Sequence, residues 1–312
     1  MILTVNLNAS IDKRYVADQC REGAVNRVVS CTNTAGGKGL NVARVAVMLG
    51  EPVMAAGILR GHSGQFIAEQ IARQEILNCC IQASGENRCC INILDRSTGK
   101  QTEYLEPGEP VSPKDGERFL ESFRRLLKQT DAVVISGSAA PGIGKEMYAE
   151  MVRMAKDTNV PVLVDASGEF LKSAAEEGPD LIKPNRDEIQ VYAGRKLEKE
   201  EEFIDAGRKL LEKGVGTVVI SLGSEGSLVM NARRVYRVES PKVAAVNTVG
   251  CGDAMTAGFA VGMARGMGEE EMIRLASAAA AANAADERTG YADWELVKEL
   301  MPEVRVTEIC LR

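Results

Sequence analysis

The sequence predicts an α/β protein in which a largely parallel sheet carries helices on both faces, with a small β-sheet appendage beside it. Two observations lead there. Strand-like apolar runs alternate with helical patterns along most of the 312 residues, as in successive β-α-β units. Two stretches, 13–33 and 86–106, break the rhythm by setting short β-like runs in succession with no helix between. No internal repeat, low-complexity tract or linker is visible. One domain over 1–312 is therefore expected, with the appendage formed by about 13–33 and 86–106.

In chain order, strands are expected at 2–7 (ILTVNL), 53–59 (VMAAGIL), 132–137 (AVVISG), 160–166 (VPVLVDA), 181–185 (LIKPN) and 217–223 (TVVISLG). Between them, 41–49, 65–74, 116–129 and 201–214 carry helical periodicity. The stretch 253–286 reads as two successive helices dense in alanine. Within 86–106, the polar turn DRSTGK suits a hairpin.

Composition narrows the chemistry. Hydrophobic residues make up 45% of the chain, enough for a large α/β core. A net charge of −6 argues against a nucleic-acid or acidic-membrane surface, which would need surplus Lys and Arg. A small anionic substrate needs only a few local cations. The eight cysteines (20, 31, 79, 80, 89, 90, 251 and 310) form no Cys-x-x-Cys pair, and the adjacent pairs do not suit tetrahedral zinc. Reduced thiols in a cytoplasmic protein are the expectation. The N-terminal stretch has no secretory pattern and no apolar run reaches membrane-spanning length. The single histidine, His62, has no Gly-x-Ser-x-Gly elbow to work with; SGSAAPG (136–142) fails at both flanking positions. Acid–base chemistry is expected to proceed without histidine.

Four stretches could carry that chemistry, and each also has an ordinary reading. In TAGGKGLNVAR (34–44), glycines that open a helix form either a strained turn or a backbone cradle for an anion. It is not a Walker A loop, because Thr32 stands where the first glycine is needed and Gly39 follows Lys38. In NTVGCGDAMTAG (247–258), Met255 stands where a dinucleotide fingerprint needs its third glycine. Asp253 is either a helix N-terminal charge worth about 0.3–1 kcal/mol, or a proton acceptor beside N–H groups of 250–253 that could hold developing negative charge. With an ordinary pKa of about 3.9 it would be ionised. Glycines 250 and 252 are expected to let the backbone reach a phosphate. In LIKPNRDEI (181–189), Asn185 and Glu188 form either a capping box or, with Lys183, a site for nucleotide phosphates and a water-bridged Mg²⁺. SLGSEG (221–226) is a glycine-punctuated turn after a strand. Asp12, Arg27 and Arg88 are isolated candidates in or near the β segments, where arginines are commonly just solvated.

Taken in order, TVNLNASID (4–12), VNRV (25–28), TAGGKGLNVAR, SGSAAPG, KPNRDE (183–188), SLGSEG and NTVGCGD (247–253) span nearly the whole chain. In this the sequence resembles the ribokinase-like, pfkB-type carbohydrate kinases, and among them those acting on ketohexose phosphates: the tagatose-6-phosphate kinases and 1-phosphofructokinases. The resemblance implies a Rossmann-like three-layer core with a β-sheet lid, ATP and Mg²⁺ as cofactors, and a homodimer through the lid. It implies Asp253 as catalytic base with Gly250, Cys251 and Gly252 as anion hole. Asp12, Gly36, Gly37, Lys38, Asn41 and Ser138 fall at sugar positions, with Arg27, Arg88 and Lys38 as partners of the substrate's own phosphate. Lys183, Asn185, Glu188, Ser221, Gly223 and Gly226 fall on the nucleotide side, with Asn283 near adenine and Glu188 reaching the metal through water.

Three small replacements depart from the family's pattern: Asn8-Ala9 for Asn-Pro, Ser138-Ala139-Ala140-Pro141 for Ser-Leu-Pro, and Cys251 for Ala or Ser. Many 1-phosphofructokinases also carry a lysine shortly after the lid arginine (Arg-Ile-Asn-Val-Lys), and Arg88-Cys89-Cys90-Ile91-Asn92-Ile93 has none. A lost charge-assisted contact is worth about 1.5–3 kcal/mol. This favours conversion of tagatose 6-phosphate to the 1,6-bisphosphate over the alternative, fructose 1-phosphate to fructose 1,6-bisphosphate. A non-catalytic sugar-phosphate or nucleotide-binding regulator is the reading from another class, and an intact Asp253 argues against it.

Overall fold

In the computed structural model, which describes residues 1–309, eleven strands form the main sheet; Cys310 lies outside the described residues. Its centre is parallel, with Leu77–Asn78, Val53–Arg60, Ile2–Asn6, Ala132–Ser136, Val162–Asp165, Leu181–Ile182 and Thr217–Ser221 side by side in that order. Ile81–Ala83 pairs with the far end of Val53–Arg60. Three antiparallel strands that the sequence reading missed, Ser227–Asn231, Val235–Glu239 and Arg305–Glu308, extend one edge. The six expected strands are all present, but LIKPN is a continuous strand only over Leu181–Ile182, with an isolated bridge from Asn185 to Ser221 beyond it. Pro184 has no N–H to give a ladder, and Asn185 already caps the next helix.

The central strands are apolar on both faces because both are covered. Within Ile2–Asn6, Ile2 faces one core while Leu3 and Val5 face the other. The first core packs against the helices Lys38–Met48, Gly61–Arg73, Cys251–Ala264, Glu269–Ala285 and Trp294–Leu300. The second packs against Pro113–Leu126, Glu146–Asp157, Gly168–Ala175, Arg186–Ala193 and Glu200–Leu211. The result is the three-layer arrangement of the ribokinase-type fold. Caps move some boundaries: Pro113–Leu126 starts before the periodic run because the Ser112 hydroxyl accepts from Asp115 N and Pro113 occupies the first turn.

Two of the four glycines around Asp253 answer to packing. The helix Cys251–Ala264 is buried on most of its circumference and lies against the alanine-dense Glu269–Ala285. A Cβ on Gly258 would stand 2.5 Å from Ala276 Cα, and one on Gly262 would stand 2.5 Å from Met272 Cγ. Small residues on both helices let their backbones approach closely.

The two irregular stretches converge in a four-stranded sheet, ordered Ser30–Gly36, Ser10–Ala17, Arg88–Asp95 and Gln101–Leu105. It begins at Ser10, slightly earlier than expected. Ser10–Ala17 runs parallel to Arg88–Asp95, and the outer strands run antiparallel to their neighbours. The polar DRSTGK turn closes the hairpin, with Asp95 N donating to Lys100 O at 3.0 Å. Register aligns Asp12, Thr34, Cys90 and Leu105 in one row and Arg14, Thr32, Asn92 and Glu103 in the next. Both rows line a cleft shared with the main sheet.

The Gly258–Ala276 contact is directly testable. Gly258→Val should destabilise the protein by roughly 1–3 kcal/mol through overpacking. Urea unfolding would show it as a lower midpoint at unchanged m, and an unchanged midpoint would remove the contact from the packing of these helices.

Candidate active site

The cleft, about 1130 Å³, lies between the small sheet and the carboxyl ends of the parallel strands, where ligands bind in open α/β sheets. Strand ends deliver its polar groups. Asp165 closes Val162–Asp165, Lys183 follows Leu181–Ile182 directly, and Ser221 closes Thr217–Ser221. Lys38 opens the helix Lys38–Met48.

Asp253 sits in the first turn of Cys251–Ala264 and is only 6% exposed. Its Oδ2 accepts from Asn41 Nδ2 at 2.8 Å, while its Oδ1 has no hydrogen-bond partner among the described residues. Burial pushes its pKa up to about 6, and the negative charge of Asp165 pushes the same way; Lys38, Asn41 and Lys183 pull against them. The ordinary carboxylate value expected from sequence therefore does not hold, although the group is still mainly ionised at pH 7.

Asp165, which the sequence reading did not single out, is the counterweight. Its Oδ2 takes Lys183 Nζ at 3.0 Å and the Thr256 hydroxyl at 3.1 Å, and its Oδ1 takes Lys38 Nζ at 3.4 Å. Burial alone would raise its pKa, but the two lysines more than offset that and hold it below the usual range. Lys38 in turn stands 3.6 Å from Glu188 Oε1 and is held firmly charged, mainly by Asp165. It thus lies between Asp165 and Glu188, in the cleft that Arg88 also lines. The available signal was an acidic residue ending an otherwise apolar strand run, VPVLVDA, at the carboxyl end of a parallel sheet.

The glycines at the head of this helix also answer to packing. Gly250 has φ +88°, and its Cβ would meet Gly290 N at 2.8 Å. It serves a left-handed turn packed on residues 289–290, and it lines the cleft together with Gly252. A Cβ on Gly252 would face Lys183 Nζ at 3.3 Å, so its absence keeps room for that ammonium beside the helix start. Cys251 is half-buried; its N–H donates to Thr248 O at 3.4 Å, and its Sγ receives Asn283 Nδ2 at 3.4 Å. Gly36 allows the Asp12 carboxylate across it, since a Cβ there would stand 2.0 Å from Asp12 Cγ; Gly37 allows Asn6 the same approach, with Nδ2 at 2.4 Å.

On the small-sheet side, Asp12 accepts from the Ser10 hydroxyl at 2.6 Å. Arg88 ties down the junction between the sheets, its Nε donating to Asn8 O at 3.2 Å and its Nη1 to Glu106 O at 3.0 Å. Its Nη2 has no partner among the described residues. Asn8 Nδ2 lies 3.3 Å from Pro107 O and 3.4 Å from Ser138 Oγ; Ser138 is exposed and is not among the residues lining the cleft. Arg27 is not brought to the cleft. It is exposed between Ser10–Ala17 and Ser30–Gly36, among Val25, Val28 and Val29, which are 83%, 43% and 53% exposed.

At the opposite end, Ser221, Leu222 and Gly223 line the cleft with Val246, Asn247 and Val249. SLGSEG is the hairpin turn into Ser227–Asn231, and Gly226 is buried in it, its Cβ position 2.0 Å from Val238 O. Both readings of Asn185 and Glu188 hold: the capping box forms, with Asn185 N donating to Glu188 Oε2 at 2.9 Å, and both residues line the cleft. Asn283 does not face a base as expected. It is fully buried, donating to Val249 O at 3.0 Å and accepting from Gly290 N and Tyr291 N at 2.9 and 3.1 Å. It braces the turn from which the Asp253 helix starts. Val246 and Val249, 62% and 44% exposed, are the apolar surface available there instead.

The raised pKa of Asp253 has a stability consequence. Its folded pKa of about 6 lies above the unfolded value near 3.8, so the folded state holds the proton more tightly. The favourable contribution is present at low pH and lost as pH rises through that interval. Asp253→Asn should therefore be more stable than the parent at pH 8, on the order of 2 kcal/mol, with the gap closing by pH 4. Denaturant unfolding at the two pH values checks this, and a gap independent of pH would mean that the carboxylate is not strained by burial.

Comparison with known proteins agrees with this geometry. Residues 6–295 match the pfkB family of carbohydrate kinases. The chain is similar to a tagatose-6-phosphate kinase of Staphylococcus epidermidis, 37% identical over 312 residues that cover 99% of this chain and 100% of the relative. Among solved structures it is similar to phosphofructokinase-2 from Escherichia coli (25% identity, TM-score 0.90, 97% of this chain and 98% of that one). It is also similar to a Thermotoga maritima protein described as a possible 1-phosphofructokinase (26% identity, TM-score 0.91, 99% and 100%). A match over nearly the full length, with the cleft residues held at the strand ends, leads to one conclusion: the chain belongs to the pfkB family of carbohydrate kinases.

Proposed function

We propose that this enzyme transfers the γ-phosphoryl group of ATP to a hydroxyl of a ketohexose monophosphate, with tagatose 6-phosphate as the acceptor. The observation that carries the reading is the buried Asp253, which has one oxygen held by Asn41 and the other free, in the first turn of a helix flanked by Lys183 and Lys38. A carboxylate poised near neutrality takes the hydroxyl proton at Oδ1 as the oxygen attacks. The start of the helix and Lys183 stabilise negative charge on the transferring group. The small sheet acts as a lid that excludes water, so that water does not replace the sugar as acceptor.

At the sugar end, Asp12 and Asn41 hold hydroxyls, and the unpaired Nη2 of Arg88 takes the substrate's phosphate. At the nucleotide end, Val246 and Val249 offer the apolar surface for the base, and Ser221 and Gly223 border the phosphate path. Glu188 suits a magnesium ion bound through water: Oε2 is committed to Asn185 N, and Oε1 stands on the cleft side near Lys38. Mg²⁺ keeps most of its waters and needs few carboxylates; when bound it would neutralise charge on the terminal phosphates. Exposed Val25, Val28, Val29 and Tyr104 on the small sheet and its loops support a homodimer through the lid. The cysteines among the described residues are free, which supports a cytoplasmic setting; no helix is long and apolar enough to cross a membrane.

The choice of tagatose 6-phosphate rests on the full-length relative and on the lid. After Arg88 the cleft is lined by Cys90, Ile91 and Asn92, and Asn92 stands where many 1-phosphofructokinases carry lysine. The likeness to the Thermotoga protein favours fructose 1-phosphate as the second reading. Coupled ADP release with tagatose 6-phosphate, fructose 1-phosphate and fructose 6-phosphate side by side decides between them, with the highest kcat/KM expected for tagatose 6-phosphate. A clear lead for fructose 1-phosphate would overturn the acceptor. Arg88→Ala should raise the KM for the sugar phosphate roughly ten- to a hundredfold, the worth of a charge-assisted bond, while leaving the KM for ATP near the parent value. An unphosphorylated ketohexose used as well as its phosphate would remove Arg88 from that role.

A further inference from the structure

Arg44 is a buried cation to which the mechanism above gives no part. It lies on Lys38–Met48, three residues after Asn41, and is 9% exposed. No carboxylate pairs with it among the described residues. Its guanidinium donates instead to four neutral acceptors: Asn41 Oδ1 at 3.1 Å, Thr289 O at 3.0 Å, Ala35 O at 2.8 Å and Gln74 Oε1 at 3.3 Å. A buried guanidinium without an ion-pair partner is costly. The acidic groups whose charge it feels are Asp12 and Asp253, both facing the cleft.

A guanidinium can only donate, so the end of the Asn41 amide that meets it must be the oxygen. The other end, 2.8 Å from Asp253 Oδ2, is then the NH₂ group. We propose that Arg44 is the positioning residue for the base, locking the Asn41 amide so that it occupies Asp253 Oδ2 and leaves Oδ1 as the proton-accepting atom. The inference rests on the reading of Asp253 as base. Without Arg44 the amide is free to turn over and present its carbonyl to the carboxylate, which favours protonated Asp253.

The lock is braced from behind. A Cβ on Gly290 would stand 2.8 Å from Asn41 Cβ and 2.9 Å from Arg44 Nη1, so the 289–290 turn lies directly on this pair. Asn283 pins the same turn and also holds Val249 O ahead of the Asp253 helix. Asn247 Nδ2 adds a bond to Thr289 Oγ1 at 3.2 Å. One network therefore joins the guanidinium, the amide and the start of the base's helix. The charged and titratable groups around Asp253 are Asp165 and Lys183 from the strand ends, Lys38 from the facing helix, Cys251 on its own helix, and Asp12 and Arg44 on the sugar side of the cleft. Substituting Arg44 leaves all the others in place.

The test is the pH dependence of single-turnover phosphoryl transfer with tagatose 6-phosphate, a readout that slow product release does not mask. Arg44→Met should move the acid limb to higher pH by about one unit, as expected when a hydrogen bond to the ionised form and a nearby positive charge are both lost, with rates converging on the parent at high pH. Arg44→Lys, which keeps the charge and a single donor nitrogen, should return the limb towards the parent position while thermal stability stays lowered by the lost bonds to Thr289 and Ala35. Should the methionine variant not fold, Arg44→Gln, too short to reach Asn41 Oδ1, gives the same readout. A rate lowered equally at every pH with the limb unmoved, or a lysine limb displaced as far as methionine's, would overturn the inference. Asp253→Asn, run alongside, separates the two readings. Turnover within a few-fold of the parent sinks the base itself, whereas a drop of roughly 10²–10⁴ with an unmoved Arg44→Met limb sinks only the role of Arg44.

Discussion

Everything in the cleft depends on holding Asp253 out of water without neutralising it. Burial and the nearby charge of Asp165 both favour its protonated form. Two ammonium groups, Lys38 and Lys183, are shared between the two carboxylates, and a hydrogen bond arrives from Asn41, 212 residues away in sequence. Glu188 adds a third carboxylate beside Lys38. Closer pairing with a lysine would have depressed Asp253 and left it a poor proton acceptor, while removing the lysines would have left it a neutral acid. Asp165 takes the direct ion pairs, and that division of labour leaves Asp253 near neutrality.

The fold makes the arrangement possible by ending several parallel strands at one place. Asp165, Lys183 and Ser221 arrive on separate strands, and none could reach the others through local sequence. The helix carrying Asp253 is held by backbone-close packing at Gly258 and Gly262 and by the Asn283 brace at its start. The small sheet is fastened at its root by Asn8 and Arg88, which bond to each other's neighbourhood and to residues 106–107. Its polar face meets the cleft because a side-chain period of two puts Asp12, Arg14, Cys90 and Asn92 on the same side.

Much of this was legible before any coordinates. The strand and helix rhythm follows from hydrophobic periodicity, so the parallel centre and the two alanine-dense helices were read close to their observed limits. Asp253, Asn41, Lys183 and Glu188 stand out in the sequence because glycine clusters and capping patterns mark helix starts, where anions bind, and all four line the cleft. The edge strands 227–231, 235–239 and 305–308 were missed because they belong to the antiparallel extension of an otherwise β-α-β pattern. Asp165 and Arg44 were missed for another reason: each looks ordinary in its own segment, one ending a strand and the other following a helical valine and alanine.

The sequence by itself determined the alternation that builds the three layers, the breaks that become the small sheet, and the residue types at each helix start. These are local properties, set by periodicity, caps and turn chemistry. Only the tertiary structure decided which charges share space. It set Lys38 beside Asp165 and Glu188, turned Asn283 inward as a brace, and left Arg27 outside its own cleft. It also showed that four similar glycines serve a turn, a lysine's clearance and a helix contact. Burial and Coulomb interactions act through distance in space, and a linear chain does not carry that distance.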